Sequence, residues 1–410
     1  MTKRKLLASL VIVFSALLAG CWDSREPDDL VHALALGFDL DDKGNFKLVA
    51  QFSNPVAPAG GAAAGAGGGS ADQGQRPYWV YTSHGRTPFE AIRNLAPVST
   101  RMVDLAHVGV ILLSERLARA GIGPVLQLLY REPELRLSIH WAVVEGSVED
   151  ILKAEFPAES APAMGLLRIL LVQPGVDSAT VLSSIGELLR PGEEMTLVRL
   201  RSLESEESGK SGSESGGESG PGGTIPRPPM ECIGGAVFKK DKMVGWIDGR
   251  AARGLGYVKE TRQRGAIIVM TPGGEAFAAI DLVHERSTLR PTAHEGELRI
   301  KLDVEVEGHL EDETLSDGRA MNLRDSAVIQ SLRNRFAEVI ENDIQIALEQ
   351  ARALGSDIFG FGNGVYRRLP EVWDEVCDRW DEMFLTVPVD INVKAKLTHP
   401  GLAVSPPLSR

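Results

Sequence analysis

The stretch "GGAVFKKDKMVGWID", from Gly234 to Asp248, decides how the fold of this chain is interpreted. Apolar and polar residues alternate on either side of Lys240-Asp241, which is the pattern of two short strands joined by a tight turn. The stretch therefore predicts a β-hairpin near the middle of the chain. A hairpin joins antiparallel strands, so it argues against a purely parallel sheet.

Segments on both sides of this hairpin show the same mixture of strands and helices. The pair "HALALGFDL" and "NFKLVAQF" (His32–Phe52) predicts another hairpin, and "GAIIVMTPGGEAFAAIDLV" (265–283) predicts a third. The alternation in "GELRIKLDVEVEGHL" (Gly296–Leu310) predicts a long strand. Thr87 and Ser147 each stand where an N-cap would begin a helix. We predict an α+β fold of several domains, with mixed or antiparallel sheets and packed helices.

The longest predicted helix runs from about Ser326 to Leu354. Its apolar residues recur at intervals of three and four and form one stripe, made of Val328, Leu332, Phe336, Val339, Ile340, Ile344, Ala347 and Ala351. Such a stripe is more typical of a face that packs on a core than of a groove for a partner. Gly355 follows the helix and can end it in a left-handed turn.

Two low-complexity tracts help to divide the chain. The tracts "AGGAAAGAGGGSADQGQ" (Ala59–Gln75) and "ESEESGKSGSESGGESGPGG" (Glu204–Gly223) have no amphipathic face, so both are predicted to be disordered. A chain of 410 residues is too long for a single ordinary core. We predict a signal peptide at 1–20, an N-terminal α+β domain at 21–203 that contains the loop 59–75 and can subdivide near 150–160, a flexible linker or loop at 204–229, a C-terminal α+β domain at 230–402 with the long helix 326–354, and a tail at 403–410.

The N-terminus carries a short apolar run that ends at a cysteine. Basic residues at positions 3–5 precede Leu6–Ala19, which as a helix would be roughly 21 Å long and too short for a ~30 Å bilayer core. The run predicts a secretory signal peptide. Its ending "LLAGC" (Leu17–Cys21) resembles the bacterial lipobox, in which the cysteine thiol receives a diacylglyceryl group before cleavage. Cys21 is the predicted lipidation site and N-terminal lipid anchor, held by acyl chains such as palmitate; a signal peptide with a chance cysteine is the alternative.

The charge and the remaining cysteines exclude several classes of protein. The formal net charge of −12 argues against nucleic acid as a partner and against electrostatic adhesion to anionic lipid. Cys232 and Cys377 lie far apart in apolar or amphipathic surroundings, which favours two separate buried thiols over a disulfide. No C-x-x-C pair and no sequence cluster of Cys and His is present, so we predict no metal site.

Catalytic signatures are missing from the sequence. The glycines of "FGFGNG" (Phe359–Gly364) follow a helix, whereas a phosphate-binding loop requires a strand, a loop and a helix N-terminus in that order. The pairs His284-Glu285 and His294-Glu295 do not form H-E-x-x-H and are expected in solvated, charged loops. We predict no enzymatic activity, no catalytic residue and no cofactor. A binding, scaffold or assembly role outside the membrane is the interpretation that remains.

The stretch "LGSDIFGFGNGVYRRLPEVW" is predicted to form a structural joint after the long helix. Ser356 or Asp357 can accept the free backbone N–H groups of a new short helix, and Phe361 is expected to anchor that helix in the core. The predicted motif comprises Asp357, Phe359, Gly360, Phe361, Gly362 and Trp373. Because Gly360 and Gly362 leave little bulk, we expect close approach of a neighbour there and a surface that faces a partner.

Several stretches, in order, resemble the Ger(x)C family of spore germination lipoproteins. They are "GCWDSREPDDL" (Gly20–Leu30), "LALGFDLDDKGNFKLVAQFSNP" (Leu34–Pro55), "GRTPFEAIRNL" (Gly85–Leu95), "HVGVILLSERLARAGI" (His107–Ile122), "GGAVFKKDKMVGWID" (Gly234–Asp248), and "DIFGFG" (Asp357–Gly362) followed by Pro370 and Trp373. The family usually has an acidic "ETRG"-like turn after the Trp-x-Asp. Here "GRAARGLGY" (Gly249–Tyr257) keeps only Arg253-Gly254.

The resemblance implies the C subunit of a nutrient germinant receptor, which is not an enzyme. It implies a lipid-anchored position on the outer face of the inner spore membrane, beside integral-membrane A and B subunits. A solute-binding lipoprotein of a transporter is the alternative, and it would show two Rossmann-like lobes with repeated β-α-β units. A lipid-anchored hydrolase is a further alternative, and it would need a convergent nucleophile and base.

Overall fold

The computed structural model describes residues 26, 29–54, 77–96, 101–154, 156, 159–172, 179–202, 230–261, 266–270, 276–315 and 326–398. The predicted signal peptide, Cys21, the loop 59–75, the linker 204–229 and the tail 403–410 lie outside these residues. The corresponding sequence predictions stay predictions.

The first sheet contains nine strands. Eight of them follow the order β3-β2-β1-β5-β6-β7-β8-β9, and the ninth, β4, pairs in parallel with residues Leu30–His32 of β1. Its centre, β1-β5-β6-β7, is parallel, and its flanks are antiparallel hairpins, so the sheet is mixed. The strands are β1 (Leu30–Leu40), β2 (Phe46–Ser53), β3 (Tyr78–Gly85), β4 (Met102–Asp104), β5 (Val110–Ser114), β6 (His140–Glu145), β7 (Thr196–Ser202), β8 (Met230–Lys239) and β9 (Lys242–Ile247).

The central hairpin β8–β9 forms as the sequence predicts, with Lys239 opposite Lys242. The domain prediction placed it in a C-terminal domain that begins at residue 230. In the structure β8 pairs antiparallel with β7, so the hairpin completes the first sheet. Backbone ladder bonds form with whichever strand is adjacent in space, and a low-complexity tract between two strands does not prevent their pairing.

The second sheet has the order β10-β11-β12-β13 and is antiparallel except for the parallel pair β12–β13. Its strands are β10 (Ala266–Met270), β11 (Ala276–His294), β12 (Glu297–Leu315) and β13 (Val389–Thr398). The charged segment around His284-Glu285, expected to be a loop, is the second half of β11 and pairs with β12. Among the described residues, no strand pairs with β11 on its other side beyond Asp281, which is why Pro291 is tolerated within it.

Helices cover both faces of the first sheet and one side of the second. They are α1 (Pro88–Arg93), α2 (Glu115–Ala120), α3 (Gly123–Arg131), α4 (Val148–Lys153), α5 (Pro162–Val172), α6 (Val181–Leu188), α7 (Gly249–Lys259), α8 (Ser326–Ala353), α9 (Phe361–Arg368), α10 (Pro370–Val376) and α11 (Trp380–Thr386). Thr87 and Ser147 cap α1 and α4 through their hydroxyls, as predicted. The segment "GRAARGLGY" lies in α7, with Asp248 as its N-cap.

Alternate residues of the first-sheet strands pack into two different cores. In β5, Ile111 and Leu113 contribute to a core with α1, α2 and α3, while Val110 and Leu112 face the opposite side. The second core extends through α7 and α8 to the inner face of the second sheet. The stripe of α8 is buried at Leu332, Phe336, Ile340, Ile344, Ala347 and Ala351, which agrees with the predicted core face. One continuous apolar core therefore joins the two sheets.

The two described cysteines are both free. Cys232 is partly buried, and burial raises the pKa of its thiol to about 12. Cys377 is exposed, so the prediction that it is buried is wrong. It lies in a 3-10 turn between α10 and α11. The two helices bury Trp373, Val376, Trp380 and Phe384, whereas the turn between them faces solvent.

Candidate functional site

The predicted joint lies where α8 ends and the chain reverses. Gly355 adopts φ 64°, the left-handed conformation that ends a helix and that glycine takes without strain. Ser356 donates its hydroxyl to the carbonyl oxygen of Phe238 in β8, at 2.6 Å. The chain leaving α8 is thus fixed to the central hairpin before α9 begins.

Asp357 organises the start of α9. One carboxylate oxygen accepts the backbone N–H of Phe361 at 3.1 Å, and the other accepts the N–H of Gly362 at 2.8 Å. The indole N–H of Trp380, in α11, donates to the second oxygen at 3.0 Å. Asp357 thus accepts the N–H groups at the start of α9, as predicted, and also bonds to Trp380. The local sequence gives no sign of this second, tertiary contact. Burial raises the pKa of Asp357 to about 6 although three N–H donors oppose the shift.

The loop between α6 and β7, in the N-terminal half of the chain, packs against the start of α9. The N–H of Glu194 donates to the carbonyl of Asp357 at 3.0 Å, and the N–H of Asn363 donates to the carbonyl of Gly192 at 3.1 Å. The Asn363 side-chain amide also donates to the Glu193 carboxylate at 2.9 Å. Reciprocal backbone and side-chain bonds therefore connect the two halves of the chain at this point. We call Gly192, Glu193, Asp357, Gly362, Asn363 and Trp380 the interdomain joint.

Glu193 is a buried carboxylate within the interdomain joint. Its Oε1 pairs with Nζ of Lys259 from α7, and its Oε2 lies 3.3 Å from Arg190. Burial alone would raise the pKa of Glu193, but Lys259, Arg190 and the Asn363 amide outweigh it and hold the pKa below its ordinary value. The neighbouring Glu194 has its pKa raised, chiefly by burial. Opposite shifts in adjacent carboxylates follow from their different partners.

Aromatic side chains fill the space beneath the joint. Phe361 is fully buried, with its ring stacked on Phe359 at 5.1 Å between centroids and tilted against Phe384 at 6.2 Å. Trp373 packs against Trp380 at 5.6 Å. The structure thus brings all six predicted motif residues into one cluster, and Phe361 lies in the core as expected.

The two glycines of the motif have a different role from the expected one. An added Cβ at Gly362 would lie 2.5 Å from Nε1 of Trp380 and 2.7 Å from Cα of Gly192. Gly360 has φ 72° and lies against Glu193. The close approach that the glycines permit is therefore to neighbours in the same chain, and it provides no support for a partner contact at Gly360 or Gly362. A Gly360→Val change would strain the backbone and disturb the fold itself.

A cleft of about 700 Å³ opens beside the joint. Cationic side chains dominate its charged lining: Arg190, Lys259, Arg286, Arg367 and Arg368 surround it, together with Glu193 and Glu260. Arg286, Arg367 and Arg368 are exposed at its rim. A positive surface on a chain of net charge −12 is suited to an anionic ligand or an acidic partner surface.

Sequence reasoning identified the motif but missed the residues that face it. Glu193, Lys259 and Trp380 come from three distant elements, and their spacing in the sequence carries no signal. Only the seven-residue interval between Trp373 and Trp380, about two helical turns, hints that they lie together.

A single group of side chains among the described residues has the types and spacing to hold a metal ion: His32, Asp104 and His107. His32 lies on β1, Asp104 ends β4 and His107 follows in the next turn, and β5 and β6 separate this group from β7, the strand that follows the joint. No helix within the described ranges is long and apolar enough to cross a membrane.

Comparison with known proteins agrees with this architecture. The family described as "Spore germination protein N-terminal domain" matches residues 23–200, and "Spore germination B3/GerAC like, C-terminal" matches residues 233–401. The chain belongs to the GerAC-like family of spore germination proteins. The low-complexity tract between β7 and β8 separates the two matched regions. The first sheet nevertheless contains strands from both regions.

Individual relatives match over nearly their whole lengths. The chain is 25% identical to Spore germination protein KC of Bacillus subtilis (strain 168), covering 99% of this chain and 98% of that protein. It is 22% identical to Spore germination protein B3 of the same organism, covering 97% and 99%. A solved structure titled "Crystal Structure of the GerBC protein" matches with a TM-score of 0.53 at 17% identity, covering 88% of this chain and 96% of the other. That likeness concerns the fold alone.

Proposed function

We propose that this GerAC-like chain is the C subunit of a spore nutrient germinant receptor and acts as a non-enzymatic component required for germinant-triggered germination. Support comes from the two family regions, which occur in order and cover most of the chain. The relatives over full length carry spore germination names. The proposed position is the outer face of the inner spore membrane, with Cys21 as the lipid anchor and integral-membrane A and B subunits as partners.

The interdomain joint supports an assembly role because it makes the two halves of the chain a fixed unit. Surfaces on the two halves are thereby held in one arrangement, as a scaffold for partners requires. The exposed rim of Arg286, Arg367 and Arg368 beside the joint then takes the partner-facing role that the sequence assigned to the glycines. Rim charges of this kind act mainly on association rate and orientation.

Co-purification from spore membranes tests the receptor role. The full chain, tagged at its C-terminus, is extracted in mild detergent from spores of a spore-forming host that lacks its own copy. We expect two integral-membrane germination proteins to co-purify, and recovery of the chain without any such protein would contradict the proposal. The double variant Arg367→Glu/Arg368→Glu is expected to reduce the amount of membrane protein that co-purifies. The control variant Arg299→Glu, on the second sheet, is expected to leave that amount unchanged.

Membrane anchoring is tested separately. Cys21→Ala is expected to block lipidation and cleavage, because only the thiol can accept the diacylglyceryl group. A mature protein that still begins at residue 21 and partitions into detergent would contradict the assignment of Cys21.

The alternative of a solute-binding lipoprotein predicts two lobes of repeated β-α-β units. The two described sheets differ in strand number, order and direction, so they are not copies of one lobe. Titration of the purified chain with amino acids and sugars distinguishes the two functions. Stoichiometric binding by the isolated chain would favour the solute binder.

A further inference from the structure

We propose that His32, Asp104 and His107 form a binding site for a divalent transition-metal cation of the zinc type. Nδ1 of His32 lies 2.6 Å from Oδ2 of Asp104, and Nδ1 of His107 lies 2.8 Å from the same oxygen. The ring centroids of the two histidines are 4.3 Å apart. Two imidazoles and one carboxylate thus converge on one point from residues up to 75 positions apart in sequence.

The backbone fixes this convergence. His32 in β1 and Asp104 in β4 are register partners in a parallel pair, so their side chains leave the sheet side by side. His107 follows in a turn that is closed by the bond from the N–H of Val108 to the carbonyl of Leu105. Leu105 and Val108 are both buried, which holds the turn to the sheet. The ligands therefore rest on regular structure and a short anchored turn, as a preorganised site requires.

The carboxylate of Asp104 is oriented by a backbone bond. Its Oδ1 accepts the N–H of Ala106 at 3.1 Å, which leaves Oδ2 directed at both histidines. Supporting bonds of this type orient the ligands in protein metal sites. The Asp104 side chain is 15% exposed and that of His107 is 56% exposed, so the site has a shielded base and an open side through which an ion can enter.

The donor set and its dimensions suit a first-row ion. Imidazole nitrogen and carboxylate oxygen are ligands of Zn²⁺ at ~2.0–2.2 Å, which in a tetrahedron places ligand atoms about 3.3 Å apart. The present separations of 2.6 and 2.8 Å would have to widen by about 0.5–0.7 Å to reach this value. Each imidazole would bind through Nδ1 with its proton on Nε2, and the open side would leave room for water or a fourth ligand. This inference is independent of the proposed receptor role.

Metal titration of the full chain tests the site. The protein is purified without a histidine tag, treated with chelator, and titrated with Co²⁺ while visible d–d absorption is recorded, followed by displacement with Zn²⁺. We expect one equivalent to bind, and the melting temperature to rise with Zn²⁺ because the three ligands converge only in the folded chain, which therefore binds the ion more tightly than the unfolded chain. His107→Gln, at the most exposed ligand, should weaken binding at least about tenfold without a change in the melting temperature of the metal-free protein.

A matched control comes from another histidine beside an aspartate. His84 lies 3.8 Å from Asp41, but the described residues place no second imidazole beside them, so His84→Gln should leave the titration unchanged. Failure of the wild type to bind either ion would overturn the proposal and leave a hydrogen-bonded cluster. Binding that persists equally in His32→Gln and His107→Gln would also overturn it.

Discussion

Gly192 and Gly362 lie backbone against backbone, and a Cβ built on Gly362 would stand 2.7 Å from Cα of Gly192. One glycine precedes β7 in the first sheet, and the other lies in the first turn of α9. Their contact leaves no room for a side chain on Gly362 at the interdomain joint. It explains in packing terms why a glycine follows Phe361, while the φ of 72° explains the glycine that precedes it.

Gly362→Ala is expected to lower the free energy of unfolding by about 1–3 kcal/mol, because the added methyl group forces the loop, Trp380 or both to move. Chemical denaturation of the full chain measures the change. Gly186→Ala is the matched control: Gly186 lies in α6 with nothing within 4 Å of its added Cβ. That change should be neutral or stabilising, since alanine is the better helix former. Equal effects of the two substitutions would contradict the packing argument.

Phe361→Ala is expected to cost about 3–5 kcal/mol, since it opens a cavity beneath the joint where the ring is fully buried. Phe277→Ala removes an aromatic ring that is 51% exposed and should change stability by about 0.5 kcal/mol or less. The same denaturation curves report both variants. A Phe361→Ala protein that unfolds like the wild type would show that this ring does not anchor α9.

Arg253→Ala is expected to destabilise the packing of α7 on α8. Asp343 is fully buried in α8 and accepts Arg253 at 2.7 Å and Arg250 at 3.0 Å. Loss of Arg253 leaves that carboxylate with Arg250 alone, and we expect a cost near 3 kcal/mol, the lower end for a broken buried pair. Arg299→Ala removes an exposed pair with Asp390 and should cost less than about 1 kcal/mol. Equal melting temperatures of the two variants would contradict a larger stabilising contribution from the buried pair than from the exposed one.

Asp357 predicts a specific dependence of stability on pH. Its pKa in the folded chain, about 6, exceeds the ordinary value of 3.8. The folded state therefore keeps a proton that the unfolded state releases between these values, and this group's contribution to the free energy of unfolding falls as pH rises from about 4 to about 6. The charge of Asp357 also contributes to the raised pKa of the nearby Glu194, so comparison with an Asp357→Asn variant measures Asp357 together with its effect on Glu194.

The test compares wild type and Asp357→Asn by denaturation at several pH values from 4 to 7. The variant should be less stable throughout, because an amide nitrogen then faces N–H donors. Its deficit relative to the wild type should shrink as pH rises through the window, since only the wild type has the contribution of the protonated Asp357 to lose. A deficit that grows with pH would mean that the three donors lower the pKa of this carboxyl instead.

Local sequence signals predicted local structure well in this chain. The caps Thr87 and Ser147, the hairpin across Lys240-Asp241 and the stripe of α8 were all predicted from residues within one or two turns of each other. The second half of β11 was missed because its charged residues resemble a loop. This segment is a strand because it pairs with the equally long β12 beside it. The sequence pattern of β11 alone gives no sign of that partner.

The α+β class, most elements, the joint motif and the family resemblance can be predicted from residue order alone, because they depend on periodicity, turn chemistry and ordered short motifs. Four features became visible only in the folded chain: β8–β9 completes the first sheet, Gly362 meets Gly192, Asp343 joins α7 to α8, and His32 meets Asp104 and His107. These contacts join residues far apart in the chain. Strand register and helix packing bring them together, and both are set by burial of the whole core rather than by any one segment.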